Sequence, residues 1–363
     1  MNLRSGKIVC KRHRHSSACS DEIKEEEDII SKLPDALLTE ILSYLPEADA
    51  NRTRILSKRW KDIWAFLPNL RLVMPFDCSI EEANKFHDSV DQIIALRGGM
   101  NINRVSLCCS KNCDYNRVYD WLCTVVKCKV QEIELEFSAE RFLVKFCWSL
   151  FKNCNTLVGL TLRGQFVLDV HEAELLFPCL KKLNLLSIVY SRDQSLTNLI
   201  SGCPVLEELQ VISRPDNMKT FKGLQERNVI LIPIFHNLVK FEIGVDYRSG
   251  WFLLPHFLEH MPNLEHITFL DGLVPFVRAQ HTFNMRWNPP TYLPNCLRFK
   301  LKEIIIRNRQ AITQQEFPLI AYLLKCSYHL RRLSINAHNI NPMIRMQLLM
   351  FPRGSGICRI EFI

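Results

Sequence analysis

The chain has 363 residues, 47% hydrophobic and 23% charged, with 17 prolines and 12 glycines, a balance that excludes a mainly disordered polypeptide. Its formal charge is +8, from 46 basic and 38 acidic side chains, and no run approaches the roughly 18–20 apolar residues of a membrane helix. The polar, basic N-terminus lacks an apolar signal core, so an intracellular soluble protein is expected, in nucleus or cytoplasm.

Residues 1–28 read as a disordered, charged leader. Its first 20 residues carry five basic and no acidic side chains, and Lys11-Arg12-His13-Arg14-His15 is a candidate nuclear-import cluster. From Ile29 the pattern becomes apolar and periodic. Leu33, Leu37, Leu38, Ile41, Leu42 and Leu45 recur at three- and four-residue steps, which places them on a helix that Pro34 opens and Pro46 stops. Asp49 is expected to cap a second short helix through Leu56. Ser57 is expected to cap a third, which carries Trp60, Ile63 and Trp64 and ends before Pro68. A unit of about 40 residues is too small to bury all of these side chains, so it leans on a partner or on the next domain.

The rest of the chain repeats one unit, apolar-x-x-apolar-x-apolar. Copies begin at Ile102, Val130, Leu157, Leu180, Leu206, Leu238, Leu264, Leu301, Leu330 and Ile357, at intervals of 23 to 37 residues, and Leu67-Leu70-Leu72 is a possible leading copy. The last two apolar positions alternate with polar ones, as in a short strand with one buried face. Segments between copies carry helical spacing, as at Leu196, Leu199 and Ile200. One strand with one returning helix cannot cover its own apolar side, so units must stack. The expected fold is α/β: a three-helix N-terminal module followed by an irregular solenoid with one parallel strand per repeat and no consensus Asn ladder. The net charge is concentrated at the far end, where residues 293–363 carry eleven basic and three acidic side chains.

Chemistry-bearing clusters are sparse. Cys108, Cys109 and Cys113, with Cys123 and Cys128 nearby, invite a zinc reading, but no C-x-x-C pair is present. The fifteen cysteines, an odd number set in apolar runs, fit reduced buried thiols. His256 and His260 have helical ligand spacing without the glutamate of a zinc-protease motif. No phosphate-binding glycine loop or nucleophile elbow occurs, so neither catalysis nor a metal or cofactor is expected.

Residues 29–64 resemble the F-box. The shared features are Leu33-Pro34, Ile41-Leu42 and Leu45, and Leu56-Ser57-Lys58-Arg59-Trp60 followed by Trp64. The chain as a whole resembles plant-type F-box/leucine-rich-repeat proteins that end in an FBD domain. Trp287-Asn288-Pro289-Pro290, Leu293 to Leu297, Glu316 to Leu324, Leu330-Arg331-Arg332-Leu333 and Phe351 to Ser355 look like FBD segments. Asn51 and Arg54 depart from the small or apolar residues more usual in the second helix, and Arg309 to Thr313 replaces the usual glycine-containing link. The domains are then a leader at 1–28, an F-box at 29–68, repeats at 69–292 and an FBD-like region at 293–363.

The resemblance implies a substrate receptor of a Skp–cullin–F-box ubiquitin ligase. The F-box would bind the Skp-type adaptor, and through it a cullin, and the repeats would hold a protein target. Adaptor-binding residues would be Leu33, Pro34, Leu37, Ile41, Leu42, Leu45, Leu56, Ser57, Trp60 and Trp64, with Leu38 and Ile63 turned inward. The anchor character of the two tryptophans agrees with that assignment. Two other functions compete with it: an interaction scaffold with a degenerate F-box, and nucleic-acid binding by the basic C-terminal region.

Overall fold

The computed structural model describes residues 29–363 apart from 46, 138–143, 153, 172–175, 192–193, 213–232, 245–250, 252–253, 271, 274–286, 288, 309–311 and 338–339. The expected leader, with its basic cluster, lies outside the described residues, as do Arg309, Gln310 and Ala311 of the FBD-like link.

Three helices open the fold: α1 (Asp35–Ser43), α2 (Glu47–Arg52) and α3 (Lys58–Ala65). Pro34 is the N-cap of α1, and the Ser57 hydroxyl oxygen accepts from the Trp60 N–H at 3.4 Å to cap α3. The second helix differs from expectation. It starts before Asp49 and stops at Arg52, and a 3-10 turn, Thr53–Ile55, follows. Asp49 pairs with Arg52 at 2.9 Å instead of capping, and the Thr53 hydroxyl donates to the Ala50 carbonyl at 2.7 Å, which closes the last turn early.

The strands are β1 (Asn69–Val73), β2 (Arg104–Cys109), β3 (Glu132–Phe137), β4 (Val144–Lys145), β5 (Gly159–Gly164), β6 (Phe166–Leu168) and β7 (Lys182–Leu186). After them come β8 (Val189–Tyr190), β9 (Glu208–Ile212), β10 (Lys240–Ile243), β11 (His266–Phe269), β12 (Glu303–Asn308), β13 (Arg332–Ala337) and β14 (Arg359–Phe362). Eleven form one all-parallel sheet in the order β1-β2-β3-β5-β7-β9-β10-β11-β12-β13-β14, and β4-β6-β8 form a small second sheet.

Every repeat copy read from the sequence, the leading one included, supplies one strand of the large sheet. The register aligns the second apolar position of each copy: Leu70, Val105, Ile133, Leu160, Leu183, Leu209, Phe241, Ile267, Ile304, Leu333 and Ile360 stand opposite one another in turn. All but Ile360, on the last strand, are buried. Gly164, at φ +124, lets the chain turn from β5 into β6, because a Cβ there would sit 2.3 Å from the Phe137 carbonyl oxygen.

A partial polar ladder also exists. Asn237 donates to the Pro204 carbonyl at 3.2 Å and Asn263 to that of His236 at 2.8 Å, while the Thr156 hydroxyl donates to that of Val130 at 2.8 Å. These residues stand just before the first apolar position of their copies, so the bonds are not the consensus Asn ladder, whose position follows the strand.

Helices return between strands: α4 (Ile80–Arg97), α5 (Tyr115–Lys127), α6 (Ser195–Ser201), α7 (Leu254–His260), α8 (Asn295–Phe299), α9 (Phe317–Cys326) and α10 (Pro342–Leu349). The longest, α4, begins with a reciprocal capping box between Ser79 and Glu82 and ends at Gly98, φ +53. Its last residue, Arg97, is 2% exposed and donates to the carbonyls of Ala65, of Leu67 at 2.8 Å and of Asn101 at 3.2 Å. One guanidinium thus ties the end of the helical module to the first repeat. Replacing Arg97 with Met leaves those carbonyls without their donor and is expected to lower unfolding free energy by roughly 2–3 kcal/mol in urea titrations.

Near the C-terminal end, Glu316 is buried and accepts from the Thr313 N–H at 2.7 Å and from the Asn308 amide at 3.2 Å. Burial pushes its carboxyl up to about 7, against the lowering pull of the Thr313 and Leu273 amides. Between the ordinary value of 4.5 and about 7 the folded chain keeps a proton that the unfolded chain releases, so stability falls as pH rises through that window. Urea midpoints measured across it should decline in the parent chain and flatten in Glu316→Gln.

Candidate functional site

Helix α1 carries two apolar stripes side by side. Leu38 and Leu42, 0% and 1% exposed, face the chain's own core. Leu37, Ile41 and Leu45, at i, i+4 and i+8, remain 47%, 46% and 40% exposed. Leu56 stands 63% exposed at the end of the 3-10 turn. The helical module therefore keeps an uncovered apolar ledge. Ile29, Ile30, Tyr44 and Ile55 are also exposed apolar side chains of this module. Sequence reasoning did not select them, although Ile29 and Tyr44 fall on the same three- and four-residue spacing as Leu37 and Ile41.

Arg59, on α3, fixes where α1 begins. Its Nε and Nη2 donate to Asp35 Oδ1 at 2.9 and 2.8 Å, and Nη2 also donates to the Leu33 carbonyl. This two-point clamp sets the Leu33–Asp35 corner, with Leu33 half-buried and Pro34 exposed. Ser57 is exposed at its capping position, and Trp60 is half-buried against the core.

Two expected docking residues are corrected. Leu42 lies on the inner stripe of α1 and is covered by the chain itself. Trp64 is 2% exposed, and the Arg54 guanidinium stacks on its ring 4.4 Å from the centroid. Neither presents a surface to a partner. Arg54 thus covers an indole within the fold, which gives its departure from an apolar residue a local use.

With this geometry in view, the comparisons with known proteins are specific. Residues 30–72 match the F-box domain family, and residues 118–241 match the family described as FBD-associated F-box protein At5g56370, LRR repeats. The chain carries an F-box and FBD-associated leucine-rich repeats.

It is 35% identical over 229 residues to the FBD-associated F-box protein At5g22730 of Arabidopsis thaliana, covering 62% of this chain and 45% of that protein. It is 33% identical over 251 residues to the putative FBD-associated F-box protein At5g56440 of the same plant, with 67% and 54% covered. The F-box/LRR-repeat protein At4g14103 is 35% identical over 196 residues, with 52% and 50% covered. The chain spans about half the length of the curated relatives it matches.

Outside the F-box, the other chemistry-bearing clusters take structural positions. His256 and His260 lie on α7, where the His260 Nδ1 bonds the His256 carbonyl at 2.8 Å. In the basic C-terminal region Arg332 lies between Glu303 and Glu361, paired with both. Among the described residues no three His, Cys, Asp or Glu side chains converge as metal ligands. Cys109 ends β2 and is buried, and its hydrogen bond with Cys113 together with burial pushes its thiol well up. Burial likewise pushes Cys203 and Cys296 up to about 12, whereas Cys179 is exposed. Among the cysteines of the described residues, iodoacetamide at about pH 8 should therefore label Cys179 first and reach Cys203 and Cys296 only after denaturant is added, as read by peptide mass mapping.

Proposed function

We propose that the chain is a non-catalytic substrate receptor of a Skp–cullin–F-box ubiquitin ligase. Its F-box docks on the Skp-type adaptor, the adaptor links it to a cullin, and the repeats hold a protein target. The observation that carries this reading is the ledge of Leu37, Ile41, Leu45 and Leu56, left exposed on a module whose inner stripe already fills its own core. Covering half-exposed Leu and Ile side chains contributes about 1 kcal/mol each, so several together supply a useful share of a docking energy. Leu33, Pro34, Ser57 and Trp60 border the same module and shape its edge through the Arg59 clamp and the α3 cap.

The mechanism is positional. A target held by the repeats and a ubiquitin-charged enzyme brought by the cullin share one assembly, which raises the effective concentration of the attacking lysine. The chain itself supplies no reacting group to that transfer. The tie from Arg97 to Ala65 and Leu67 matters here, because it joins the docking module to the repeats without a slack linker.

The test is capture of a purified Skp-type adaptor by the full chain. Leu37→Asp combined with Ile41→Asp is expected to weaken capture by about a hundredfold or more. Circular dichroism and the unfolding midpoint should stay near the parent's, since both positions face solvent. Undiminished capture by that variant, or no capture by the parent, rejects the reading and leaves the interaction scaffold.

A further inference from the structure

The large sheet has two outer strands, and one of them, β1, lies along a hollow. β1 pairs with β2 on one side, and among the described residues no strand lies on its other side. The Met74 N–H donates to the Cys108 carbonyl at 2.9 Å, and the Arg104 N–H donates to the Pro68 carbonyl at 3.2 Å. Strand alternation therefore turns the backbone groups of Leu70 and Leu72 to β2 and those of Asn69, Arg71 and Val73 outward. Among the described residues no hydrogen bond reaches the outward groups of Arg71 or Val73. An uncovered edge of this kind pairs readily with another extended chain.

A cavity of about 550 Å³ opens beside this edge, between the F-box and the first repeat, and Arg71, Leu72 and Val73 all line it. Successive strand residues point to opposite faces, so a space that touches all three runs past the strand's edge. Its apolar wall is Leu72 with Phe86, Val90 and Ile93 of α4. Two neighbouring cations are engaged within the fold, Arg54 on the Trp64 ring and Lys85 with Glu81 at 2.7 Å. Arg71 is different: it is exposed on the outer face, and among the described residues no carboxylate pairs with it.

We propose that the outer edge of β1 takes up an extended peptide segment of a partner protein as a further strand of the sheet. Main-chain groups of the segment bond the outward N–H and C=O groups of Arg71 and Val73. Its residues aligned with Leu72 turn into the hollow toward half-buried Phe86, and those aligned with Arg71 and Val73 turn to the outer face. The segment therefore alternates, apolar toward the hollow and acidic beside Arg71. The inference rests on the receptor reading only in making that segment part of a target; peptide capture itself needs no adaptor.

The experiment is fluorescence anisotropy of a labelled peptide, Asp-Val-Asp-Leu-Asp-Val-Asp, titrated with the full chain. Two further peptides carry backbone N-methyl groups, one on every Asp and one on every Val and Leu. Only one set of N–H groups can face β1, so one methylated peptide should bind about tenfold or more weaker and the other like the parent peptide. Loss with methylated Asp marks antiparallel addition, and loss with methylated Val and Leu marks parallel addition. Val73→Pro removes an outward N–H and spares the β1–β2 ladder, a change that edge strands tolerate. It should weaken the parent peptide about tenfold, and Arg71→Glu, at an exposed position, about fivefold. Circular dichroism checks both variants; if Val73→Pro fails to fold, Arg71→Glu and the methylated pair decide. No binding up to about 100 μM chain, equal binding of the two methylated peptides, or undiminished binding by either folded variant overturns the proposal. Dimerisation of the chain that Val73→Pro abolishes would make a second copy the occupant and overturns it too. None of these outcomes bears on adaptor capture.

Discussion

Everything in this molecule is arranged around a ladder of apolar side chains held in register across eleven parallel strands. Each strand is only four to six residues long and buries one face, so no strand is stable without its neighbours. In-register pairing lets Leu183 and Leu209, or Ile304 and Leu333, share one continuous core. A slip of one residue would turn each apolar pair to solvent and bring charged residues such as Lys182 or Glu303 inward. The ladder also orders the polar surface. Lys182 and Glu208, Lys240 and Glu242, and Glu303 and Arg332 come together because their strands are locked side by side or because they alternate along one strand.

The helical module inherits its orientation from the first rungs. Arg97, at the end of the first long connecting helix, reaches back to the carbonyls that close α3. A buried arginine is costly unless its donors are matched; here Nη1 finds acceptors in the module's last turn and the link to β1 and Nη2 finds Asn101, while Nε is left without one. The exposed stripe of α1 is thereby carried on a base continuous with the solenoid. That continuity gives a positional mechanism its mechanical sense, since a flexible connection would dilute the proximity it depends on.

The contrast between the two stripes of α1 shows how little separates a core residue from a docking residue. Leu37 and Leu38 are neighbours in sequence, and Ile41 and Leu42 likewise, yet one of each pair is buried and the other stands near half-exposed. A rotation of about 100° per residue sends adjacent side chains to different faces. Trp64 makes the same point on α3. An indole of the kind that often anchors an interface is instead capped by Arg54 within the fold. The cavity beside that pair exists because side chains from the module and the first repeat meet there without filling the space.

Much of this architecture is legible in residue spacing alone. The eleven apolar triplets predict the eleven strands, the F-box motif predicts three helices with Ser57 as a cap, and the cysteine pattern agrees with scattered buried thiols. These features are periodic or local, so spacing along the chain encodes them directly. Spacing does not reveal which leucines of α1 stay uncovered, that Trp64 turns inward, that Asp49 pairs with Arg52 rather than capping, or that Arg97 bridges two domains. Nor does it lay the outer edge of β1 along a hollow. Each of those outcomes depends on which surface of a distant segment arrives against a given side chain, and linear order carries no record of that until the chain has packed.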